Sequence, residues 1–305
     1  MALQKTKYIW MNGEFVEWDS AKIHVLSHVV HYGSSWFEGI RAYKTPKGTA
    51  VFRLKEHMQR LAKSVKIYRG QLPYEMSELI ESTKELIRKN ELESCYIRPV
   101  AYRGYEDLGV YPLNCPIDIS IATWHWGVYL GKEALDQGVD VCVSSWQRLH
   151  NNSLPTISKA GGNYLNSQLI RMEAIQNGYT EGIGLDHNGN VSEGSGENMF
   201  FVIDGVIYTP GMDSSILEGI TRSSTITIAK QLGYEVKEIS IPRSILYTAD
   251  EIFFTGTAVE ITPVRSVDRI KVGDGKAGPI TKSIQKAFYD IVEHGNDPYG
   301  WLDYI

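Results

Sequence analysis

Residues 156–168, TISKAGGNYLNSQ, contain one lysine, Lys159, between small residues and directly ahead of a predicted helix. Gly161 and Gly162 allow the backbone to approach a bulky group closely, because glycine has no Cβ. An amine in such a segment is suited to form an imine with an aldehyde, whereas most lysines are solvated loop residues. The chemical interpretation therefore depends on features elsewhere in the chain.

The composition is that of a globular protein. The chain has 305 residues, of which 43% are hydrophobic and 22% charged, a length that suggests two domains of about 100 to 200 residues each. Its net charge of −5 provides no basic field for nucleic acid. Cys95, Cys115 and Cys142 are odd in number and widely spaced, which indicates reduced thiols in a cytoplasmic protein and no thiolate metal site. No apolar run has the length of a signal peptide or a membrane span, so we expect a soluble protein.

The first part of the chain is predicted to be α+β with mostly antiparallel strands. Asn12-Gly13 between two apolar runs predicts a hairpin, and apolar residues recur at helical intervals from Leu54 to Tyr68. A second helix is predicted over Met76 to Lys89, with strands following in CYIRPVAYRG (95–104) and IDISIATWHW (117–126).

The second part is predicted to be a mixed, strongly turned β-structure with helices outside. VDVCVSSWQ (139–147) is a predicted strand, and Asn188-Gly189 and Asp204-Gly205 are further hairpin turns. Helices are predicted from Tyr164 to Asn177, from about Ile220 to Leu232 and from about Ile280 to Glu293, with a strand at EIFFTG (251–256). We expect a smaller N-terminal domain over residues 1–127, an interdomain loop over 128–137 and a larger domain over 138–305.

Two acidic residues are candidates for a site beside Lys159. Glu193, in NVSEGSGEN, could keep a pyridine nitrogen protonated and so make the ring an electron sink. A glutamate at a hairpin edge is the commoner case, and Glu197 is an equally acidic rival four residues later.

Three further segments could bind a phosphate. In LEGITRSS, Gly219 permits close approach and a helix beginning at Ile220-Thr221 can hold an anion, although an ordinary threonine cap has the same pattern. In FFTGTAVE, the turn Gly256-Thr257-Ala258 can direct amides and a hydroxyl at an anion. Arg60, in EHMQRLAKS, could clamp a phosphate bidentately, although a surface ion pair is the more common role of a helical arginine.

Six motifs in one order resemble the fold-type IV pyridoxal-phosphate enzymes, and most closely the branched-chain amino acid aminotransferases. They are HYGSSWFEGIRAY, YIRPVAY, SKAGGNY, VSEGSGENMF, LEGITR and TGTAVEITPVRS. The resemblance extends from about residue 8 to about residue 304. It implies an α+β fold with a smaller N-terminal α/β sandwich and a larger C-terminal pseudo-barrel. It also implies pyridoxal 5′-phosphate as cofactor, and amino transfer between L-leucine, L-isoleucine or L-valine and 2-oxoglutarate.

The resemblance assigns a cofactor site. Lys159 would carry the internal aldimine and then move the proton between the substrate Cα and cofactor C4′. Glu193 would face the pyridine nitrogen, and Tyr164 would hydrogen-bond the phenolic oxygen. The phosphate would be bound by Arg60, the Ile220 amide, Thr221 and Thr257, and Leu217 would pack against the ring.

The resemblance also assigns a substrate site. The α-carboxylate would lie near Tyr96 and the Thr257-Ala258 backbone, and Arg98 would meet the side-chain carboxylate of glutamate. Val110 would come from a second subunit, which implies a homodimer or a higher oligomer such as a hexamer. The apolar pocket would be walled by Tyr32, Phe37, Trp126 and Tyr129.

Several alternatives remain. Residues 273–278 match the dinucleotide pattern G-x-G-x-x-G, although no returning parallel strand can follow them. His28 and His31 lack accompanying metal ligands and are expected to be structural. A non-catalytic binding protein would not need Lys159. Within the same fold, the alternatives are a D-amino acid aminotransferase, an (R)-selective amine transaminase and aminodeoxychorismate lyase, and YIRPVAY with the Tyr32/Phe37 pair favours the branched-chain class. Trp36 and the 103–114 loop are not fixed by the family pattern and could widen acceptance toward aromatic amino acids or amines.

Overall fold

The computed structural model describes residues 4–127 and 132–305. Its strands are Tyr8–Met11 (β1), Glu14–Glu17 (β2), Ser35–Phe37 (β3), Ile40–Thr45 (β4), Gly48–Phe52 (β5), Cys95–Arg103 (β6), Ile117–Trp124 (β7), Val139–Val143 (β8), Glu181–Leu185 (β9), Asn190–Gly194 (β10), Asn198–Ile203 (β11), Val206–Thr209 (β12), Val236–Glu238 (β13), Ile241–Pro242 (β14), Glu251–Gly256 (β15), Glu260–Val267 (β16), Ile270–Lys271 (β17) and Leu302–Tyr304 (β18). Its α-helices are His28–Tyr32 (α1), Leu54–Ile67 (α2), Met76–Lys89 (α3), Lys132–Gln137 (α4), Tyr164–Gln176 (α5), Ile220–Gln231 (α6) and Pro279–Val292 (α7). Short 3₁₀ helices cover Trp18–Ser20, Gly161–Asn163, Met212–Ser214 and Arg243–Tyr247.

The chain divides into two compact units. The first contains Met1–Trp126, Ser158–Gly162 and Asp290–Ile305, and the second contains Gly127–Ile157 and Asn163–Tyr289. The segment that carries Lys159 therefore belongs to the first unit, although the chain on both sides of it belongs to the second. The contiguous division at residues 128–137 stays a prediction.

The first unit is built on an antiparallel sheet in the order β18-β5-β4-β6-β7-β1-β2, with β3 paired to β6. The predicted hairpin is confirmed, because Asn12 and Gly13 have φ angles of 47° and 93° between β1 and β2. Positive φ at both central residues is what a type I′ turn requires. The predicted helices are also confirmed, and α2 buries Leu54, Met58 and Leu61 on one face in the core of this unit.

The second unit is built on a mixed sheet in the order β13-β12-β11-β15-β16-β8-β9-β10-β14, with β17 on β16. Strand β8 runs parallel to β9 and β16, and β12 runs parallel to β13, which confirms the expected mixed structure. Asp204 and Gly205, with φ angles of 48° and 77°, close the β11–β12 hairpin as predicted. Its core combines side chains from these strands, including Val141, Ile183, Phe201 and Phe254.

The glycine pattern at residues 273–278 does not form a dinucleotide site. Strand β17, which precedes it, is antiparallel to β16, whereas the fingerprint requires a parallel strand-helix-strand unit. The start of α7 is already bound by a carboxylate, because Glu251 accepts hydrogen bonds from the Ile280 amide at 3.0 Å and the Thr281 amide at 2.7 Å. Within the described residues, every helix is too short or too polar to span a bilayer.

Candidate active site

Lys159 is held in the first unit by hydrogen bonds from its own backbone and from the preceding residue, Ser158. Its amide donates to Ser64 Oγ at 3.0 Å, and its carbonyl accepts from the Phe37 amide at 3.1 Å. The Ser158 hydroxyl donates to the Ser64 carbonyl at 3.1 Å. The segment is therefore anchored to α2 on one side and to the end of β3 on the other, with the lysine side chain half-buried.

Of the two glycines beside Lys159, only Gly161 lies in close contact with a neighbouring segment. A Cβ on Gly161 would lie 2.3 Å from Ser35 Oγ, and a Cβ on Gly162 would lie 3.7 Å from the Gly33 carbonyl oxygen. The close neighbour of Gly161 is thus strand β3 of the same unit. A side chain at position 161 would displace the Ser35 hydroxyl, and the predicted close approach of both glycines to a bulky bound group stays a prediction.

Phe37 brings two cationic side chains to one aromatic ring. Lys159 Nζ lies 5.0 Å from the ring centroid, and Arg98 Cζ lies 4.8 Å from it. Cations within about 6 Å of an aromatic centroid are attracted to the ring quadrupole. The structure therefore places the predicted imine-forming amine beside two predicted substrate residues.

The predicted carboxylate-binding residues adjoin this cluster. Arg98 Nη2 donates to Tyr96 Oη at 3.3 Å, and the Tyr96 and Trp126 rings lie 4.4 Å apart between centroids. A Cβ on Gly39 would lie 2.0 Å from Tyr96 Oη, so glycine is required there for Tyr96 to occupy its position. Phe37, Tyr96, Arg98 and Trp126 thus form one group of neighbouring side chains.

Arg60, predicted to bind a phosphate, is paired with a carboxylate that was not predicted from the sequence. Arg60 Nε and Nη2 donate to the two oxygens of Glu38, each at 2.7 Å, and His57 Nδ1 donates to Glu38 Oε2 at 2.7 Å. Burial alone would raise the pKa of the Glu38 carboxyl. The Arg60 charge and the hydrogen bonds from Arg60 and His57 outweigh burial and lower this pKa from 4.5 to about 2. Burial lowers the pKa of His57. Glu38 is therefore ionised and His57 neutral.

Two other predicted substrate residues lie on exposed surface of the first unit. The Tyr32 side chain stacks on His28 with centroids 4.6 Å apart, and Val110 is 84% exposed. His28 Nε2 donates to the Gly109 carbonyl at 2.8 Å, which supports the structural role expected for this histidine. Tyr129, predicted to wall the pocket, lies outside the described residues.

Glu193 is a buried and fully oriented carboxylate in the second unit. Arg148 Nη2 donates to its Oε1 at 2.6 Å, while the Asn198 side-chain amide and the Leu217 backbone amide each donate to its Oε2 at 3.0 Å. Neither side-chain partner was predicted: no motif singles out Arg148, whereas Asn198 lies inside the quoted VSEGSGENMF motif and could have been found there. Arg148 supplies the countercharge that a buried carboxylate needs.

Glu197, the rival of Glu193, binds its own turn. Its Oε2 accepts from the Gly196 amide at 3.0 Å, and its carbonyl accepts from the Gly194 amide at 2.7 Å. These bonds stabilise the connection between β10 and β11. The assignment of Glu193 as the carboxylate that interacts with a bound group stays a prediction.

The predicted phosphate-binding residues of the second unit lie at two chain turns. Helix α6 begins at Ile220 after Gly219, which caps it with no side chain, so the helix start presents backbone amides and a partial positive charge. Thr221 is buried in the first turn. Thr257 and Ala258 lie in the turn between β15 and β16, and Tyr164 is the first residue of α5.

These donors fit pyridoxal 5′-phosphate by their chemistry. The first unit offers a primary amine for an aldehyde and a guanidinium, and the second offers a buried carboxylate for a protonated ring nitrogen. A helix start followed by a buried threonine suits a phosphate. Within each unit, the structure brings Lys159 to Phe37 and Arg98, and Glu193 to Leu217.

Known proteins resemble the chain over its length. The family profile of amino-transferase class IV matches residues 35–267. The branched-chain-amino-acid aminotransferases of Salmonella typhimurium and Escherichia coli K12 are each 54% identical to the chain, covering 99% and 100% of it, respectively, and 99% of their own lengths.

Solved structures show the same similarity. The crystal structure of the E. coli branched-chain amino acid aminotransferase has a TM-score of 0.96 and 55% identity, with 98% of this chain and 99% of that chain covered. The T.th. branched-chain amino acid aminotransferase with pyridoxamine 5′-phosphate has a TM-score of 0.95 and 50% identity, with the same coverage. These likenesses confirm the expected fold class.

Proposed function

The chain belongs to the class IV aminotransferases, and we propose how its residues perform the family's pyridoxal-phosphate-dependent amino transfer. Its activity is that of a branched-chain amino acid aminotransferase, acting on L-leucine, L-isoleucine and L-valine with 2-oxoglutarate as acceptor. The observation that carries this assignment is 54% identity over 99% of both chains to an enzyme of that name.

Lys159 is the proposed catalytic residue. Bound pyridoxal phosphate supplies an aldehyde that takes up the amino group and a ring that accepts the electron pair released at the substrate Cα. Lys159 Nζ would bind that aldehyde and, once released from it, would take the proton from the substrate Cα and deliver it to cofactor C4′. The anchoring of its backbone by Ser64 and Phe37 supports this role, because a base acts only from a defined position.

The other cofactor contacts follow from the donors of each unit. Glu193, paired with Arg148, is proposed to bind the protonated ring nitrogen, and Tyr164 the phenolic oxygen. Leu217 is proposed to pack on the ring. The proposed phosphate ligands are Arg60, the Ile220 amide, Thr221 and Thr257.

The substrate contacts are proposed from the cluster around Phe37. Tyr96 and the Thr257-Ala258 backbone bind the α-carboxylate, and Arg98 binds the side-chain carboxylate of glutamate. Each buried methylene of an aliphatic substrate contributes about 0.8 kcal/mol, so broad acceptance of Leu, Ile and Val is expected. The apolar wall is proposed to consist of Tyr32, Phe37, Trp126 and Tyr129.

We further propose a homodimer or a higher oligomer such as a hexamer, in which Val110 enters the pocket of a neighbouring subunit. The 84% exposure of Val110 supports this proposal, since an apolar side chain on a loop gains from being covered. A cytoplasmic location is proposed because Cys95, Cys115 and Cys142 are buried free thiols.

Borohydride reduction followed by peptide mapping tests the role of Lys159. We expect the pyridoxyl group on Lys159 and on no other lysine, and loss of both the label and amino transfer in K159A. Normal turnover by K159A would refute the assignment.

Substrate assays distinguish the enzyme from others of the same fold. L-leucine, D-alanine and a simple chiral amine are offered as donors to 2-oxoglutarate. We expect turnover of L-leucine to exceed that of both others, whereas preference for D-alanine or the (R)-amine would indicate one of the alternative classes.

A further inference from the structure

Glu38 is a completely buried carboxylate whose hydrogen-bond partners belong to one helix. It follows Phe37 directly, and its own amide donates to the Pro99 carbonyl at 2.9 Å. Its side chain is 0% exposed and accepts from Arg60 and His57, which lie three residues apart on α2. Burying an anion is unfavourable unless it is paired and hydrogen-bonded, so the Glu38 carboxylate depends on Arg60 and His57.

The two bonds from Arg60 determine the orientation of its guanidinium. Nε donates to Oε1 and Nη2 donates to Oε2, each at 2.7 Å. The guanidinium is planar, so two parallel bonds define both its plane and its rotation. Arg60 itself has only 11% of its side chain exposed. Glu38 therefore orients the Arg60 guanidinium within the first unit.

His57 completes the arrangement without adding charge. An ionised carboxylate only accepts hydrogen bonds, so the proton of His57 lies on Nδ1. Burial lowers the pKa of His57 and keeps the imidazole neutral. Glu38 and Arg60 thus balance one negative charge against one positive charge, and His57 adds a hydrogen bond that holds the carboxylate in place.

The same helix connects this group to the lysine. Ser64, one turn beyond Arg60 on α2, accepts the hydrogen bond from the Lys159 amide. Glu38 itself is adjacent to Phe37, whose amide donates to the Lys159 carbonyl. Arg60 is consequently held in the same hydrogen-bonded framework that anchors Lys159.

We propose that Glu38 is a positioning residue that pre-orients Arg60 for the phosphate of the cofactor. The inference rests on the proposed function, in which Arg60 binds that phosphate. Removing the carboxylate has two opposed effects: the phosphate loses an oriented partner, and it gains a less neutralised cation. Orientation is expected to dominate, because bidentate recognition of a phosphate requires planar donors in one arrangement.

The test compares two aldehydes on the apoprotein. The dissociation constants of pyridoxal 5′-phosphate and of pyridoxal are measured by fluorescence titration for the wild type and E38Q. Their ratio reports the contribution of the phosphate. We expect E38Q to reduce the preference for the phosphorylated aldehyde by roughly 10- to 100-fold, the range expected for hydrogen bonds to charged groups. A general loosening of the protein would weaken the binding of both aldehydes and leave the ratio of their dissociation constants unchanged.

E56Q is the matched control, because Glu56 pairs with Arg53 Nε at 2.9 Å on the same helix but is 36% exposed. We expect E56Q to leave the ratio unchanged. R60Q is the reference variant, because it removes the proposed phosphate ligand itself. If R60Q leaves the ratio unchanged, the proposed phosphate role of Arg60 fails. If R60Q lowers it and E38Q does not, or E38Q raises it, only the role of Glu38 fails.

E38D provides a second variant if E38Q does not fold. It retains the charge that compensates Arg60 but withdraws both oxygens by one methylene. We expect a smaller reduction of the ratio than in E38Q, and a folded E38D with the ratio of the wild type would overturn the proposal.

Discussion

The amine of Lys159 lies 5.0 Å from the centroid of the Phe37 ring, and the Phe37 amide donates to the Lys159 carbonyl at 3.1 Å. The residue predicted to react and a residue predicted to wall the substrate pocket are thus neighbours in both backbone and side chain. A change at Phe37 should therefore affect substrate binding while leaving the anchoring of Lys159 in place.

Replacing Phe37 with alanine is expected to raise the KM for L-leucine about 10-fold or more. The variant loses apolar surface worth roughly 1.5–3 kcal/mol when a large side chain is fully buried. Steady-state kinetics measure the effect, and F37L, which keeps apolar volume, should lose less. Borohydride labelling of Lys159 should persist in F37A. Loss of labelling would show that the ring is needed for the lysine itself.

Replacing Gly39 with alanine is expected to displace the Tyr96 hydroxyl, because the new Cβ would lie 2.0 Å from it. If Tyr96 binds the α-carboxylate, KM rises for every amino acid donor, irrespective of its side chain. In Y96F the hydroxyl is absent, so G39A should raise KM by a smaller factor in the Y96F background than in the wild type. An equal rise in KM in the two backgrounds would contradict the explanation that the new Cβ displaces the Tyr96 hydroxyl.

Replacing Arg148 with methionine is expected to destabilise the apoprotein by about 3–5 kcal/mol, because Glu193 would remain as a buried charge without its ionic partner. The Arg148 and Glu193 side chains are each 6% exposed. Urea unfolding measures the loss. The control is R243M, because Arg243 is 50% exposed and pairs with the half-buried Asp268 at 3.4 Å in the same unit. A change within about 1 kcal/mol is expected for it. Similar losses in both variants would refute the distinction.

Acid is expected to weaken the protein partly through Glu38. The pKa of this carboxyl is lowered from 4.5 to about 2 in the folded protein, so its contribution is fully present above pH 4.5 and is lost as the pH falls towards 2. The shift corresponds to roughly 3 kcal/mol. Urea unfolding of the wild type and E38Q between pH 5 and pH 3 should show the difference in stability between them shrinking. A difference independent of pH would contradict this account.

Local elements were predictable from sequence because their signals are local. The Asn12-Gly13 hairpin and helix Met76–Lys89 have the predicted bounds, since positive φ angles and a 3.6-residue apolar period are visible in a short window. Lys159, Glu193 and the start of α6 were found through motifs. Their roles with cofactor and substrate stay predictions.

The supporting residues were missed because their partners are distant in sequence. Glu38 meets Arg60 after 22 residues and Glu193 meets Arg148 after 45. A single ion pair leaves no periodic signal, and many charged residues could satisfy each candidate. The pairing of Ala160 with Trp36, which adds the lysine segment to the first unit, is equally non-local.

The first unit takes the edge strand β18 of its sheet from residues beyond 300, and its lysine segment from residues 158–162. During synthesis, a ribosome that has released only the first 126 residues has therefore delivered a sheet with one flank unpaired. Domains tend to fold as they emerge from the ribosome, but the first unit is expected to complete its sheet only after the rest of the polypeptide has been synthesised. A fragment cut after Trp126 would lack both pieces, so it would be a poor independent folding unit.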